Sequence, residues 1–211
     1  MSAASSTSPL ILASGSPRRR ELLGAAGIRF EIDIPHIDEI LVPGETAAEG
    51  VQRIAREKCL AAAARNSGRY VLAADTIVFL PGDHDSILPR GATRVVDGVV
   101  YGKPVDDADA LTMLRCLSGP AHRVLTAVVL ADPSGVVCGS TLVATDVLFV
   151  AQKDDLIVSY ARSGEGLDKA GAYAVQGRGA ALIDRIDGSL TNVIGLPLAE
   201  TLALLERCGA A

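Results

Sequence analysis

The turn Ser14-Gly15-Ser16 joins the apolar run 10–13 to a segment that opens Pro17-Arg18-Arg19-Arg20. That order reads as strand, tight turn and helix. A helix N-terminus presents unpaired backbone N–H groups and a positive dipole end. Gly15 lets a ligand approach the backbone, Ser14 and Ser16 add hydroxyls, and the arginines add forked donors suited to phosphate. Together they describe an anion site with phosphate as its natural occupant, while also suiting an ordinary capped helix with solvated arginines. The pattern GxxxxGK[ST] is absent, so this is not a Walker A loop. In Ala73-Ala74-Asp75-Thr76 a carboxylate interrupts an apolar strand. Burying it is costly unless it is paired or metal-bound. Asp75 is therefore expected at a strand end facing a cleft, as a metal ligand, a general base for water or a helix cap.

Three further groups stand near turns or on a helix. Lys103, within Gly102-Lys103-Pro104, is a cation on a short, stiff connection, and Lys58 lies on a long helix. A solvated lysine is the usual explanation for either. Asp38-Glu39, in an acidic connection at 35–43, offers hard oxygens to a cation such as Mg²⁺, or simply an exposed loop. The glycine-rich stretch 163–179 carries Asp168, Lys169, Tyr173 and Gln176. Gln176 has both a donor and an acceptor and can read a base edge. A purely structural glycine loop is the alternative.

These residues need a scaffold. Strands are expected at 10–13, 28–34 and 70–80, and a hairpin of 122–132 with 136–150 turns at Pro133-Ser134-Gly135. Helices are expected at 17–26, from the capping box at Thr46 to about 66, from Asp106 to 117, at 153–162 and at 197–208. A last strand is expected at 180–186. Residues 81–98 read as a surface insertion of loop character. The predicted class is α/β, a mixed sheet flanked by helices. The organisation is one domain over 10–211 behind a flexible tail, 1–9.

Composition narrows the classes. The chain has 211 residues, a formal net charge of −5, 3% aromatic residues and no Trp. A nucleic-acid binder is more often basic, and an aromatic base-stacking platform is not available. The run 124–131 is far short of the ~20 apolar residues of a membrane span. No secretory or twin-Arg signal is evident, so a soluble, cytoplasmic protein is expected. The four cysteines form no CxxC pair and lie far from the histidines, which disfavours zinc and favours buried, reduced thiols. No GxSxG element suggests a serine hydrolase.

In order along the chain stand LILASGSPRRRELL (10–23), IDE (37–39), REK (56–58), AADTIV (73–78), GKP (102–104), LSG (117–119), TAV (126–128), SGEGLDKAGAYAVQG (163–177) and GLPL (195–198). Each is weak alone. Their order and spacing resemble the Maf family of nucleoside triphosphate pyrophosphatases, first associated with septum formation. The resemblance implies an elongated mixed sheet, two lobes and a central cleft, like the inosine triphosphatase fold. It implies hydrolysis of the α–β phosphoanhydride of a nucleotide, giving monophosphate and pyrophosphate, with a divalent cation, Mg²⁺ or Mn²⁺. Arg18, Thr76 and Gln176 match the branch that prefers dTTP and UTP, and members acting on modified pyrimidine triphosphates. The sister branch acting on 7-methylguanosine triphosphate lacks AGAYxxQG. Homodimers are common in the family.

By the same resemblance, Asp75 is the proton acceptor. Ser14, Arg18, Arg19, Lys58 and Lys103 bind the triphosphate. Glu39 and Asp75 hold metal, and Arg18, Thr76 and Gln176 set base preference. Phosphoryl-type transfer needs positioning and charge neutralisation more than covalent chemistry. An aspartate of ordinary pKa, about 4, is a weak base unless a metal acidifies the water or burial raises that value. Two departures stand out. The stretch between Asp75 and Lys103 is longer than the family's short hairpin, and Ala174-Val175 replaces the common Gly-Ile, narrowing the pocket by a methyl. The alternative function is a non-catalytic, nucleotide-binding regulator of cell division, which needs neither Asp75 nor Glu39.

Overall fold

The computed structural model describes residues 10–82, 88–151 and 154–210. The tail expected at 1–9 lies outside them. The strands are β1 (Leu10–Leu12), β2 (Phe30–Ile32), β3 (Val71–Pro81), β4 (Ala92–Val95), β5 (Gly98–Tyr101), β6 (His122–Ala131), β7 (Val137–Phe149) and β8 (Ile183–Asp187). The helices are α1 (Pro17–Ala25), α2 (Ala47–Ala63), α3 (Asp107–Leu117), α4 (Asp154–Ala161), α5 (Leu190–Ile194) and α6 (Leu198–Arg207). Two 3₁₀ turns, Ala170–Ala172 and Gly177–Leu182, precede β8.

The strands form one mixed sheet in the order β2-β1-β3-β6-β7-β8, with the β4–β5 hairpin attached to β3. The fold is α/β with helices on both faces. β1 runs parallel to β2 and β3, and the remaining pairs are antiparallel.

Side chains alternate between faces along a strand, and β3 shows what each face meets. Val71, Ala73, Ile77 and Phe79 pack with Val51, Ala55, Cys59 and Ala62 of α2. On the other face, Leu72 and Ala74 join Leu23 of α1 and Leu204 and Leu205 of α6. Val78 and Leu80, further along that face, join Met113 and Leu114 of α3 and Ile157 of α4. The second face thus carries two separate apolar cores, one per lobe. Thr76 and its cross-strand partner Thr126 fall between them.

The chain edge of β3 is split in the same place. β1 pairs with Val71 and Leu72, and β5 pairs with residues from Val78 to Pro81. Between them, residues 73–77 have a strand partner on the β6 side only. This notch at the end of β1 opens onto the cleft. Ligands of open α/β sheets bind in such crevices, where the sheet's connectivity diverges.

Some sequence expectations are corrected. Of the loop expected at 81–98, residues 83–87 lie outside the described residues, and the C-terminal part is strand. Residues 92–95 and 98–101 pair across a two-residue turn. The two turn residues are Val96 and Asp97, and Gly98 opens β5. The stretch 177–182 is a 3₁₀ turn, so the last strand starts at Ile183 rather than 180. Helix α5 was not anticipated. It is a single turn, capped where the Ser189 hydroxyl accepts from the Asn192 N–H, and carries no amphipathic period. All four cysteines are free, yet only Cys59 is buried; Cys138 is exposed. No helix of the described residues is long and apolar enough to cross a membrane.

Candidate active site

A cleft of about 840 Å³ opens at the notch. Its lining does not include Asp38 or Arg20, which the sequence had also offered, but does include Ser14, Arg18, Arg19, Glu39, Lys58, Asp75, Thr76, Lys103 and Gln176. They arrive from six places in the chain, held by different local rules.

α1 starts at Pro17 with Ser16 as N-cap, and no side chain caps it. The Ser14 hydroxyl instead accepts from the Ser16 N–H at 3.2 Å. With no acidic residue in its first turn, the helix presents its positive end towards the cleft. Arg18, half-buried, reaches Asp168 at 3.6 Å. Arg20 is exposed and does not line the cleft.

Lys58 stands at a core position of α2, in step with Val51, Ala55 and Ala62. It is only 7% exposed. Its ammonium donates to Asp75 Oδ1 at 2.7 Å and meets Glu39 Oε1 at 2.8 Å. Asp75 is 6% exposed. Each buried ion loses several kcal/mol of hydration, which only a close, well-aligned partner offsets. Among the described residues, Asp75 Oδ2 makes no hydrogen bond to protein. One carboxylate oxygen is anchored and the other is available.

Two carboxylates sharing one ammonium also define where a hard cation fits. Mg²⁺ is held by one or two carboxylates together with substrate phosphates and waters, rather than by an all-protein cage. Asp75 and Glu39 supply that donor set. Among the described residues, no group of three or more His, Cys, Asp or Glu converges.

Arg19 belongs to a different kind of cluster. It is buried, and its Nε donates to the Gly195 carbonyl at 2.8 Å. Nη1 donates to Ser14 Oγ at 3.1 Å and to the Ala74 carbonyl at 2.8 Å. Nη2 donates to Thr76 Oγ1 at 3.0 Å. Burial pulls its pKa down, and the charges of Asp75 and Glu39 push the other way. Thr76 Oγ1 also lies 2.9 Å from Thr126 Oγ1, and Thr126 donates to the Asn192 carbonyl at 3.3 Å. These groups tie α1, β3, β6 and α5 together across the seam between the two apolar cores. The sequence reading passed over Thr126, Asn192 and the Gly195 carbonyl. Thr126, the one polar side chain within the apolar run 124–131, was the available signal.

Lys103 and Gln176 face the cleft from the other lobe. Lys103 is exposed and makes no ion pair among the described residues. The Gly171 N–H donates to the Gly102 carbonyl at 3.0 Å, joining the Lys103 turn to the glycine-rich loop. Gln176 is exposed at the start of the second 3₁₀ turn, and its side chain caps nothing. Gly91 and Thr93 also line the cleft, so the hairpin region beyond residue 87 forms part of its rim.

A family model described as "Maf-like protein" matches residues 9–208. The chain belongs to the Maf family. Curated Maf relatives span nearly their whole length with it. A dTTP/UTP pyrophosphatase from Geobacter sulfurreducens is 44% identical over 203 residues, covering 95% of this chain and 97% of the relative. One from Anaeromyxobacter dehalogenans is 48% identical over 95% of this chain and 94% of the relative. One from Escherichia coli is 45% identical over 95% and 93%. A HAM1 protein from Coxiella burnetii aligns in structure at a TM-score of 0.39 and 15% identity, covering 68% of this chain and 74% of that one.

Proposed function

We propose that this Maf protein hydrolyses the α–β phosphoanhydride of dTTP and UTP, releasing the nucleoside monophosphate and pyrophosphate. The observation that carries the chemistry is Asp75, a buried carboxylate that lines the cleft with one oxygen fixed by Lys58. The pyrimidine preference rests on the names of the relatives and on Gln176 at the cleft wall.

In this reading the triphosphate lies along the notch. Ser14, Arg18 and the open N-terminus of α1 hold phosphate oxygens from one lobe, and Lys103 holds them from the other. Lys58 is shared between the triphosphate and Asp75. A divalent cation, Mg²⁺ or Mn²⁺, held by Asp75 and Glu39, would supply neutralisation of phosphate charge and a more acidic water. Asp75 Oδ2 orients the attacking water and takes its proton as the new P–O bond forms and the bridging P–O bond breaks. Pyrophosphate leaves with the bridging electron pair, and the cations that flank the cleft stabilise that charge. Arg19 acts chiefly by fixing Ser14, Ala74 and Thr76. With four N–H bonds to protein, it has one donor left for substrate.

The test is pyrophosphate release from a panel of natural and modified nucleoside triphosphates, in Mg²⁺ and in Mn²⁺. Turnover led by dTTP and UTP, lost in a folded Asp75→Asn variant, is the expected result. Tight nucleotide binding without turnover in either metal would reverse the reading in favour of a non-catalytic regulator. Full activity in Asp75→Asn would remove Asp75 from the chemistry.

A further inference from the structure

The glycine-rich loop around Gln176 is pinned on both sides by one pair of side chains outside the proposed catalytic set. Glu165 Oε1 accepts from the Gly179 N–H at 2.9 Å, and Oε2 accepts from the Arg178 N–H at 3.0 Å. Tyr160, on α4, donates its hydroxyl to Glu165 Oε1 at 3.3 Å. The same hydroxyl accepts from the Ala174 N–H at 3.1 Å. The clamp therefore holds the backbone two residues before Gln176 and two and three residues after it.

The local sequence accommodates this arrangement. Gly177 has φ +66, and a Cβ there would stand 2.9 Å from Glu165 Oε2. A Cβ on Gly179 would stand 2.1 Å from the Ala174 carbonyl oxygen. Glycine lets the loop close over the carboxylate at 177 and against its own backbone at 179. Tyr160 is 3% exposed and packs in the α3–α4 core, so the clamp is referenced to the rigid part of its lobe. Burial opposes the charge on Glu165, but the Gly179 and Arg178 N–H groups with Tyr160 outweigh it and hold the carboxyl below its usual range. The Gln176 side chain, by contrast, caps nothing and is exposed at the cleft.

We infer that Glu165 and Tyr160 are positioning residues for base recognition, fixing the Gln176 amide where it meets the base edge. The inference rests on the pyrophosphatase reading and on Gln176 as the base reader. A hydrogen-bonding group displaced by about an ångström loses most of its bond, so discrimination depends on the clamp although neither residue touches the nucleotide. Phosphate binding, centred on α1, Lys58 and Lys103, does not depend on it.

The experiment compares parent, Glu165→Ala, Glu165→Gln and Tyr160→Phe, each checked for a cooperative melt. It measures kcat and KM for dTTP and dCTP, and inhibition by inorganic tripolyphosphate. In Glu165→Ala, KM for dTTP is expected to rise about tenfold, the worth of one good hydrogen bond, with kcat within about twofold. The dTTP-to-dCTP preference should shrink, with tripolyphosphate inhibition unchanged. Glu165→Gln retains one acceptor and should fall between Ala and parent. Tyr160→Phe, which keeps the packed ring, should show the same pattern at smaller size and decides the matter if Glu165→Ala does not fold. Unchanged discrimination in the folded variants, or an equal loss of tripolyphosphate binding, overturns the clamp. A parent that does not discriminate dTTP from dCTP overturns the base-reading role of Gln176 and the clamp with it, while a parent without turnover overturns the pyrophosphatase reading.

Discussion

Asp75 and Thr76 are consecutive on β3, and they serve two clusters built on opposite rules. On the α2 face, Asp75 and Glu39 share the single ammonium of Lys58, and Asp75 keeps an oxygen with no partner among the described residues. On the other face, the Thr76 hydroxyl and the Arg19 guanidinium have their bonds taken up by Ser14, Ala74, Thr126 and Gly195. Two carboxylates for one cation leave capacity for a metal, a water and a phosphate. Donors and acceptors matched within the chain leave almost none. The first cluster is suited to exchange partners during a reaction and the second to stay fixed while it proceeds. One strand, by alternating its side chains, keeps a rigid clamp and the carboxylate proposed to react one residue apart.

The contrast can be broken by substitution, and the largest effect belongs to the reactive side. Asp75→Asn keeps the shape and the acceptor facing Lys58 but not the base. It should lower kcat/KM for dTTP by about 10³-fold while lowering stability by about 3 kcal/mol, because Lys58 loses its buried counter-ion and keeps only Glu39, read from pyrophosphate release and urea unfolding of one preparation. Arg19→Lys tests the fixed side. A lysine offers three donors from a single point and cannot span four acceptors, so stability should fall by about 3 kcal/mol. A substitution that left unfolding unchanged but abolished nucleotide binding would move Arg19 to the reactive side. Gln176→Glu is smaller still. It should cost about tenfold in kcat/KM for dTTP and UTP with little loss of stability, and equal kcat/KM in variant and parent would contradict it.

The fourth effect lies away from both clusters. His122 is buried between the rings of Phe149 and Tyr173, and its Nε2 is 2.9 Å from the Tyr173 hydroxyl. Burial lowers its pKa to about 4, with Asp146 opposing. The unfolded chain takes up the proton first, near 6.5, so the stability tied to neutral His122 is full above that value. It is lost as pH falls towards 4, by about 3 kcal/mol. In His122→Gln the part of the acid slope between pH 6.5 and 4 should flatten, as measured by unfolding at stepped pH.

The sequence exposed the parts of this architecture that local chemistry dictates. The Thr46 capping box, the Asp106 cap and the Pro133-Ser134-Gly135 turn each carry their signal in adjacent residues, and helices and hairpin form there. Asp75 was visible because it places a charge within an apolar strand, whereas Lys58, read as a solvated helix lysine, gains its buried setting only in the fold. The β4–β5 hairpin was missed because its four-residue strands are too short to show alternation. Helix α5 was missed because one turn has no period. The Arg19 cluster was half-read: arginine after a glycine turn suggests phosphate, and only the fold reveals that Gly195, 176 positions away in sequence, supplies an acceptor.

The notch in β3 has a kinetic consequence. A strand amide is protected from solvent hydrogen exchange by the neighbour it points to, and the N–H groups of 73–77 that point away from β6 have no strand beside them. A deuterium-labelling time course should find fast-exchanging amides at the 73–77 positions that point away from β6, within a largely buried strand and between slower amides at 71–72 and 78–80. A nucleotide seated in the cleft would take the place of the missing neighbour, and those amides would slow. The reacting carboxylate would then report its own occupancy through the backbone that carries it.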